Sequence, residues 1–166
     1  RQRQMCIRDR WRGVPYGATT ARAHRFRAPR PREPWNGVRD ATRFAPPAMQ
    51  GNFGWKDSVT GTEDCLTLDI VRPDTDEVLP VVVYFHGGTF VTGASNERVL
   101  RGYNLAQATD VVYVSVNFRL GVLGYLDFRS IGTDCVANPA LLDQIQALEW
   151  VLSLIHISEP TRRTPI

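Results

Sequence analysis

The sequence contains no apolar run long enough to cross a membrane, and it has little lysine, histidine or cysteine. Among its 166 residues are 3 His and 3 Cys, and a single Lys against 19 Arg. No stretch approaches the roughly 18 apolar residues of a membrane-spanning helix, so no membrane span is expected. The cysteine count leaves the cellular compartment, and hence the localisation, open. With 43% hydrophobic and 22% charged residues, the composition is that of a globular domain rather than a disordered chain.

The basic character of the chain is concentrated at its two ends. The formal net charge is +3 and the pI is near 9.0, which raises the question of a nucleic-acid partner. Residues 1–10 and 153–166 hold 6 Arg against 2 acidic residues, and the stretch between them has 14 basic and 15 acidic residues. In residues 11–43 the arginines alternate with prolines and form neither a helical stripe nor an aromatic stacking surface. We therefore expect no nucleic-acid binding.

Both terminal segments resemble translations of sequencing-adapter DNA. Residues 1–10 have no apolar periodicity, and residues 153–166 interrupt a well-patterned helix. We interpret them as a non-native leader and tail, to be left out of reasoning about the fold. The alternative is a pair of poorly ordered natural termini.

The pattern of the remaining residues predicts an α/β protein. Val81–Phe85 and Val111–Val116 are continuous runs of β-branched and aromatic residues, typical of strands buried on both faces. Leu66–Val71 is a weaker strand candidate, and Asn96–Ala106 suits a short helix. Buried strands joined through helices indicate a mostly parallel sheet with flanking helices.

The clearest helix is predicted to begin at Asn138. Asn is a favoured N-cap, and Pro139 would occupy the first helical position, where its missing N–H costs nothing. Apolar residues then recur at helical spacing. They are Leu141, Leu142, Ile145, Leu148, Val151 and Leu152.

The string most informative about function follows the first buried strand directly. It is His86–Phe90, with Gly87 and Gly88 at the point where the strand ends. Glycines there let the backbone turn sharply, so that its N–H groups can converge on an oxyanion. Taken alone, the string favours a simple glycine turn over an oxyanion site, because such turns are common after strands.

Seven collinear blocks together resemble the type-B carboxylesterase family, the cholinesterase-like branch of the α/β-hydrolases. The resemblance covers residues 11–152 and implies the N-terminal part of an α/β-hydrolase sheet. The blocks are Gly13–Tyr16, Arg25-Phe26, Pro34–Asp40, Glu63–Leu66, His86–Phe90, Asn117–Tyr125 and Asn138–Val151.

The resemblance implies a serine esterase that acts through an acyl-enzyme on small ester substrates, without a cofactor or metal. Such an enzyme needs a nucleophile in a Gly-x-Ser-x-Gly turn, and no serine of this sequence has that context. In the family this turn follows the helix that begins here at Asn138, and the acid and base come later still. We therefore expect an inactive fragment with no catalytic triad residue. The alternative is a fragment of a non-catalytic, cholinesterase-like adhesion or binding domain.

The resemblance also assigns roles to the residues after the strand. The N–H groups of Gly88 and Thr89 would be the oxyanion donors, and Gly87 would permit the turn. The side chain of Thr89 would narrow the acyl site, because the family usually has Gly or Ala there. His86 would have a structural role instead of acting as the catalytic base.

Two structural ion pairs are implied by the same resemblance. Arg25 with Glu63, and Arg119 with Asp143, match positions that form buried pairs in relatives. The alternative is that these are separate exposed charges.

Two further positions depart from the family pattern. Cys65 lies where relatives close a disulfide, but the partner position reads Ala48, so Cys65 is expected to be a free thiol. Trp55 could line the mouth of an active-site gorge, although simple loop cover is the interpretation that we favour.

Overall fold

A mixed β-sheet flanked by helices forms the centre of the molecule. The computed structural model describes residues 7–52 and 58–157. The strands of the main sheet lie in the order β1 (Ile7–Pro15), β4 (Thr67–Pro73), β6 (Val112–Val116) and β5 (Val81–Phe85), and β2 (Gln50–Asn52) pairs separately with β3 (Ser58–Thr60). The α-helices are α1 (Tyr103–Thr109), α2 (Gly121–Tyr125) and α3 (Pro139–Ile157).

The strand directions differ from the mostly parallel arrangement that we expected. β5 and β6 are parallel, with Val81 opposite Val112 and Phe85 opposite Val116. β4 is antiparallel to both of its neighbours, β1 and β6. A parallel pair needs a long crossover connection, and the segment that contains α1 supplies one between β5 and β6. The α/β class itself is confirmed, and the parallel part of the described sheet lies at its β5 edge.

The two strands expected to be buried on both faces differ in burial. β6 lies between β4 and β5, and its residues from Tyr113 to Val116 are buried. β5 is an edge strand of the described sheet, and Val82 is exposed. The position of each strand in the sheet therefore determines its burial, although the two strands have similar composition.

The helix expected over Asn96–Ala106 is replaced by two shorter elements. A 3₁₀ turn spans Arg98–Leu100, and α1 begins only at Tyr103. Gly102 separates them with a left-handed φ of 70°. A Cβ on Gly102 would lie 2.0 Å from the Tyr113 ring, so this break lets the chain pass close to β6.

Helix α3 begins at Pro139 as predicted, but its buried face is not the leucine face. The apolar residues Leu141, Ile145, Leu148 and Leu152 are exposed in the described part of the chain. The buried side is made of the small residues Ala140 and Ala147, together with Asp143, Gln146 and Val151. At Ala140 a small side chain is required, because α2 packs closely there and a Cβ on Gly124 would lie 2.9 Å from the Cβ of Ala140.

The regular structure extends beyond the predicted boundaries of the native chain. β1 begins at Ile7, and Arg10 pairs with Val71 of β4. At the other end α3 continues to Ile157. Backbone pairing depends little on side-chain identity, so the non-native origin of residues 1–10 and 153–166 stays a prediction. No helix of the described residues has the length and apolarity that a membrane crossing requires.

Candidate active site

The loop after β5 turns at Gly88. This residue has a φ of 116°, and a Cβ there would lie 2.0 Å from the carbonyl oxygen of Thr92. The N–H groups of Val91 and Thr92 donate to the Gly88 carbonyl at 3.1 and 3.0 Å. A Cβ on Gly87 would meet nothing within 4 Å. The turn that we expected to depend on Gly87 therefore requires glycine at position 88.

The next two residues hold left-handed backbone although neither is glycine. Thr89 has a φ of 53° and Phe90 a φ of 66°, conformations that cost about 1–3 kcal/mol each and persist where the surroundings enforce them. The Phe90 carbonyl accepts a hydrogen bond from the N–H of Gly121 at 2.6 Å. The Phe90 ring packs on Tyr125 with centroids 4.7 Å apart. Contacts with α2 thus hold the loop in this shape.

The backbone N–H groups of Gly88 and Thr89 have no acceptor among the described residues, and both residues are exposed. Thr89 borders a cleft of about 260 Å³, whereas Gly88 does not contribute to its lining. Free backbone N–H groups of a loop that borders an apolar cleft can stabilise an oxyanion. The lining residues are Phe85, His86, Gly87, Thr89, Phe90, Phe118, Leu120, Tyr125 and Gln144.

His86 lies under this loop and is 6% exposed. Its ring stacks on Phe118, with centroids 4.5 Å apart and an interplanar angle of 16°. Nδ1 lies 2.9 Å from the carbonyl oxygen of Gly87, and Nε2 has no partner among the described residues. Desolvation by burial lowers the pKa of His86 below its ordinary value of 6.5, so the neutral ring is favoured.

Side-chain amides hold the far end of the loop. Gln50 binds both backbone groups of Gly93, since its Oε1 accepts from the N–H and its Nε2 donates to the carbonyl, each at 2.9 Å. The Oδ1 of Asn117 accepts from the N–H of Ser95 at 2.8 Å. Neither role was predictable from the sequence, because an amide side chain in a loop or at a strand end carries no distinctive signal.

A buried carboxylate completes this network. Asp69 of β4 accepts hydrogen bonds from the hydroxyl of Ser95 at 2.5 Å and from the N–H of Gly13 at 2.8 Å. Desolvation raises the pKa of Asp69 above its ordinary value. Because Ser95 is itself buried and bonded to a carboxylate, it is not placed to attack a substrate. The only sequence signal for this pair was an acidic residue between the apolar residues Leu68 and Ile70 of the strand.

Arg119 and Asp143 meet in the interior between the end of β6 and α3. The side chains are 4% and 0% exposed, and Nη2 lies 2.6 Å from Oδ1. The Nε and backbone N–H of Arg119 donate to Oδ2 at 2.8 and 3.1 Å. Complete burial raises the pKa of Asp143, and the hydrogen bonds from Arg119 act against that rise. Arg119 also donates to the carbonyl of Arg27 at 2.8 Å, which ties an N-terminal loop to the same point.

Arg25 and Glu63 also pair, but at the surface. The side chain of Arg25 is 45% exposed and that of Glu63 is 18% exposed. Nε of Arg25 donates to Oε2 of Glu63 at 2.6 Å, and Nη2 donates to Oε1. These bonds lower the pKa of Glu63. The expected pairing is present in the structure, and the expected burial of Arg25 is not, because this arginine lies on an exposed loop.

Cys65 is a buried free thiol, and burial raises its pKa. Ala48, which stands where the family resemblance places the partner cysteine, is also buried. Trp55 lies outside the described residues, so its contribution to a gorge or to loop cover stays a prediction. Within residues 7–52 and 58–157, no group of three His, Cys, Asp or Glu side chains could hold a metal ion.

Comparisons with known proteins agree on one family. The model of the Carboxylesterase family matches residues 2–157. Para-nitrobenzyl esterase of Bacillus subtilis (strain 168) is 37% identical over 147 residues, which are 86% of this chain and 30% of that protein. Carboxylesterase 4A of Bos taurus is 40% identical over 153 residues, covering 84% of this chain and 27% of the relative. A solved thermophilic para-nitrobenzyl esterase superposes with a TM-score of 0.79 at 37% identity, over 86% of this chain and 30% of that one.

The chain thus spans less than a third of the length of these relatives. Within this chain lie the parallel and antiparallel strands of the sheet, the strained glycine loop and the buried Arg119–Asp143 pair. On the match of the family model to nearly the whole chain, this protein belongs to the carboxylesterase family.

Proposed function

We propose that this chain supplies the oxyanion hole of a serine carboxylesterase that acts on small esters. The observation that carries the proposal is the pair of unbonded N–H groups at Gly88 and Thr89 in a strained loop, where Thr89 borders an apolar cleft. The family membership of the chain supports the same chemistry. The named relatives are esterases, which does not favour the alternative of a non-catalytic adhesion or binding domain.

The role of the two N–H groups follows from the charge that develops in ester hydrolysis. Attack on the carbonyl carbon places negative charge on the carbonyl oxygen, and a donor that is already oriented stabilises that charge without reorganisation. One such donor contributes about 3–4 kcal/mol to the transition state. The Thr89 side chain borders the cleft and would limit the size of the acyl group.

The chain by itself is proposed to be inactive. Its sequence contains no Gly-x-Ser-x-Gly turn to supply a nucleophile. His86 is buried under the loop, against Phe118 and the Gly87 carbonyl, so it is not placed to act as a general base. Acyl transfer needs both a nucleophile and a base, and the residues present would contribute only the binding of the oxyanion.

Hydrolysis of 4-nitrophenyl acetate tests this proposal in two proteins. The 166-residue chain should show no turnover above a heat-treated control. A hybrid in which residues 11–152 replace the matching part of the Bacillus subtilis esterase should hydrolyse the ester. A soluble, folded hybrid without activity would contradict the proposed function, and turnover by the chain alone would contradict its inactivity.

The proposed role of Thr89 has its own variant. Thr89→Gly in the hybrid keeps the N–H and removes the side chain from the cleft, so activity on 4-nitrophenyl butyrate should rise relative to acetate. Thr92→Gly, a change in the same loop outside the cleft lining, is the matched control and should leave that ratio unchanged. An unchanged ratio in Thr89→Gly would show that the side chain does not limit the acyl group.

A further inference from the structure

We propose that His86 is a positioning residue whose Nδ1–H fixes the Gly87–Gly88 peptide unit, and thereby keeps the Gly88 N–H available to an oxyanion. This inference rests on the proposed function and names a residue through which the oxyanion hole is built. His86 would not touch the substrate's reacting atoms.

The orientation of one peptide unit decides where the Gly88 N–H points. The carbonyl of Gly87 and the N–H of Gly88 belong to the same planar trans unit, and they point in opposite directions. Nδ1 of His86 lies 2.9 Å from that carbonyl oxygen. Holding the oxygen toward the imidazole therefore turns the N–H away from it, and this N–H has no acceptor among the described residues. A flipped unit would present a carbonyl oxygen where the oxyanion should bind.

Neighbouring residues leave room for the hydrogen bond between His86 and the Gly87 carbonyl and hold its two partners in place. A Cβ on Gly93 would lie 2.2 Å from Nδ1 of His86 and 2.6 Å from the oxygen of Gly87. These are the two atoms that the bond joins, so the missing side chain of Gly93 makes the space for it. The face of the imidazole is fixed by the Phe118 ring, and Gly93 is held by Gln50.

The same contacts determine which ring nitrogen carries the proton. The Gly87 carbonyl can only accept, so Nδ1 must donate. Nε2 has no partner among the described residues, and a second proton there would place a charge in a buried site. The neutral Nδ1–H tautomer is the form that satisfies the loop. Glu97 favours the charged ring, but desolvation outweighs it.

Two substitutions separate the hydrogen bond from the packing. His86→Asn places an amide N–H where Nδ1 stands and removes the ring, whereas His86→Phe keeps a ring against Phe118 and removes the donor. In the hybrid esterase, His86→Phe should lose about 10²–10³-fold in kcat, the effect of one oxyanion donor, with little change in KM. His86→Asn should recover most of that loss even though its Tm is the lower of the two. His24→Phe, outside the cleft, is the control.

If the role of His86 were purely structural, the variant with the lower Tm, His86→Asn, would also have the lower kcat. If His86→Phe keeps its kcat while the parent hybrid is active, the positioning role is overturned and the proposed function stands. If the parent hybrid is folded but inactive, the proposed function fails. The tautomer of His86 then tests separately whether this residue positions the Gly87–Gly88 peptide unit.

That tautomer is measured on the 166-residue chain without any assay of activity. The chain has 3 His, so ¹⁵N-histidine labelling and the His86→Asn spectrum assign the His86 signals. We expect a protonated Nδ1 and an unprotonated Nε2. A signal from the Nε2–H tautomer, or one at the values of an unfolded chain, would overturn the inference.

Discussion

Two arginine–carboxylate pairs of similar chemistry occupy opposite environments in this molecule. Arg119 and Asp143 are almost fully enclosed, and Asp143 accepts three hydrogen bonds from Arg119. Arg25 and Glu63 form a comparable two-pronged contact at the surface, where 45% of the Arg25 side chain is exposed. In the interior neither charge has water as an alternative partner, while at the surface both do.

The difference shows that geometry alone does not determine how much an ion pair contributes to stability. Removal of one partner from a buried pair leaves an uncompensated charge in a low-dielectric interior. At the surface, solvent and salt replace the lost partner, so the pair contributes little. The buried pair also joins three segments, since Arg119 reaches the carbonyls of Arg27 and Pro139.

The largest effect is expected from Asp143→Asn. The substitution preserves the shape of the side chain but leaves the Arg119 guanidinium buried and unpaired, which should lower the free energy of unfolding by about 3–5 kcal/mol. Urea denaturation followed by circular dichroism measures the loss. Asp127→Asn, which breaks an exposed pair with Arg129, is the matched control. Equal losses in the two variants would remove the distinction between buried and exposed pairs.

A smaller loss is expected from Gly124→Ala beside the buried pair. The added Cβ would lie 2.5 Å from the backbone carbonyl oxygen of Arg119 and 2.9 Å from the Cβ of Ala140. Forcing these groups apart should destabilise the protein by about 1–3 kcal/mol. Gly87→Ala adds the same methyl group in open space and should have little effect on the urea midpoint. If the two alanine variants unfold alike, the interior around Arg119 is not tightly packed.

The smallest effect is expected from Glu63→Gln, and it should depend on pH. Arg25 holds the pKa of Glu63 below its ordinary value of 4.5. The stabilisation from this pair is therefore present above pH 4.5 and is lost as the pH falls through the lower pKa of the folded state. Wild type and variant should differ slightly in Tm at pH 7 in low salt and converge as the pH falls through the lowered pKa of Glu63, or in 1 M KCl. A Tm difference that persists under both conditions would show that the Arg25–Glu63 pair behaves like the buried Arg119–Asp143 pair.

The family and the order of its segments were predictable from the residues. The blocks from Gly13 to Val151 identified the carboxylesterase family, and the start of α3 at Pro139 followed from the Asn138-Pro139 signal. Both depend on short stretches of sequence whose local chemistry is distinctive. The strand at Val81–Phe85 was also located correctly.

The environment of those segments was not predictable from the same residues. The leucines of α3 have helical spacing, yet the helix buries its alanines and Asp143, and Ala140 lies where Gly124 of α2 leaves no room for a larger side chain. The hydrogen-bond network that holds the far end of the glycine loop was not predictable for a similar reason. Gln50, Asp69 and Asn117 are far apart in the sequence, and only the folded chain brings them to Gly93 and Ser95.

The sequence by itself determined the family, the strand and helix candidates, and the glycine loop as the candidate oxyanion site. Those conclusions rest on local residue chemistry, which one stretch of chain contains in full. The tertiary structure alone decided that Gly88 is the glycine that the turn requires, that β4 runs antiparallel to its neighbours, and that one ion pair is buried while the other is exposed. Each of these depends on a neighbour distant in sequence, because burial and close approach are properties of the packed chain.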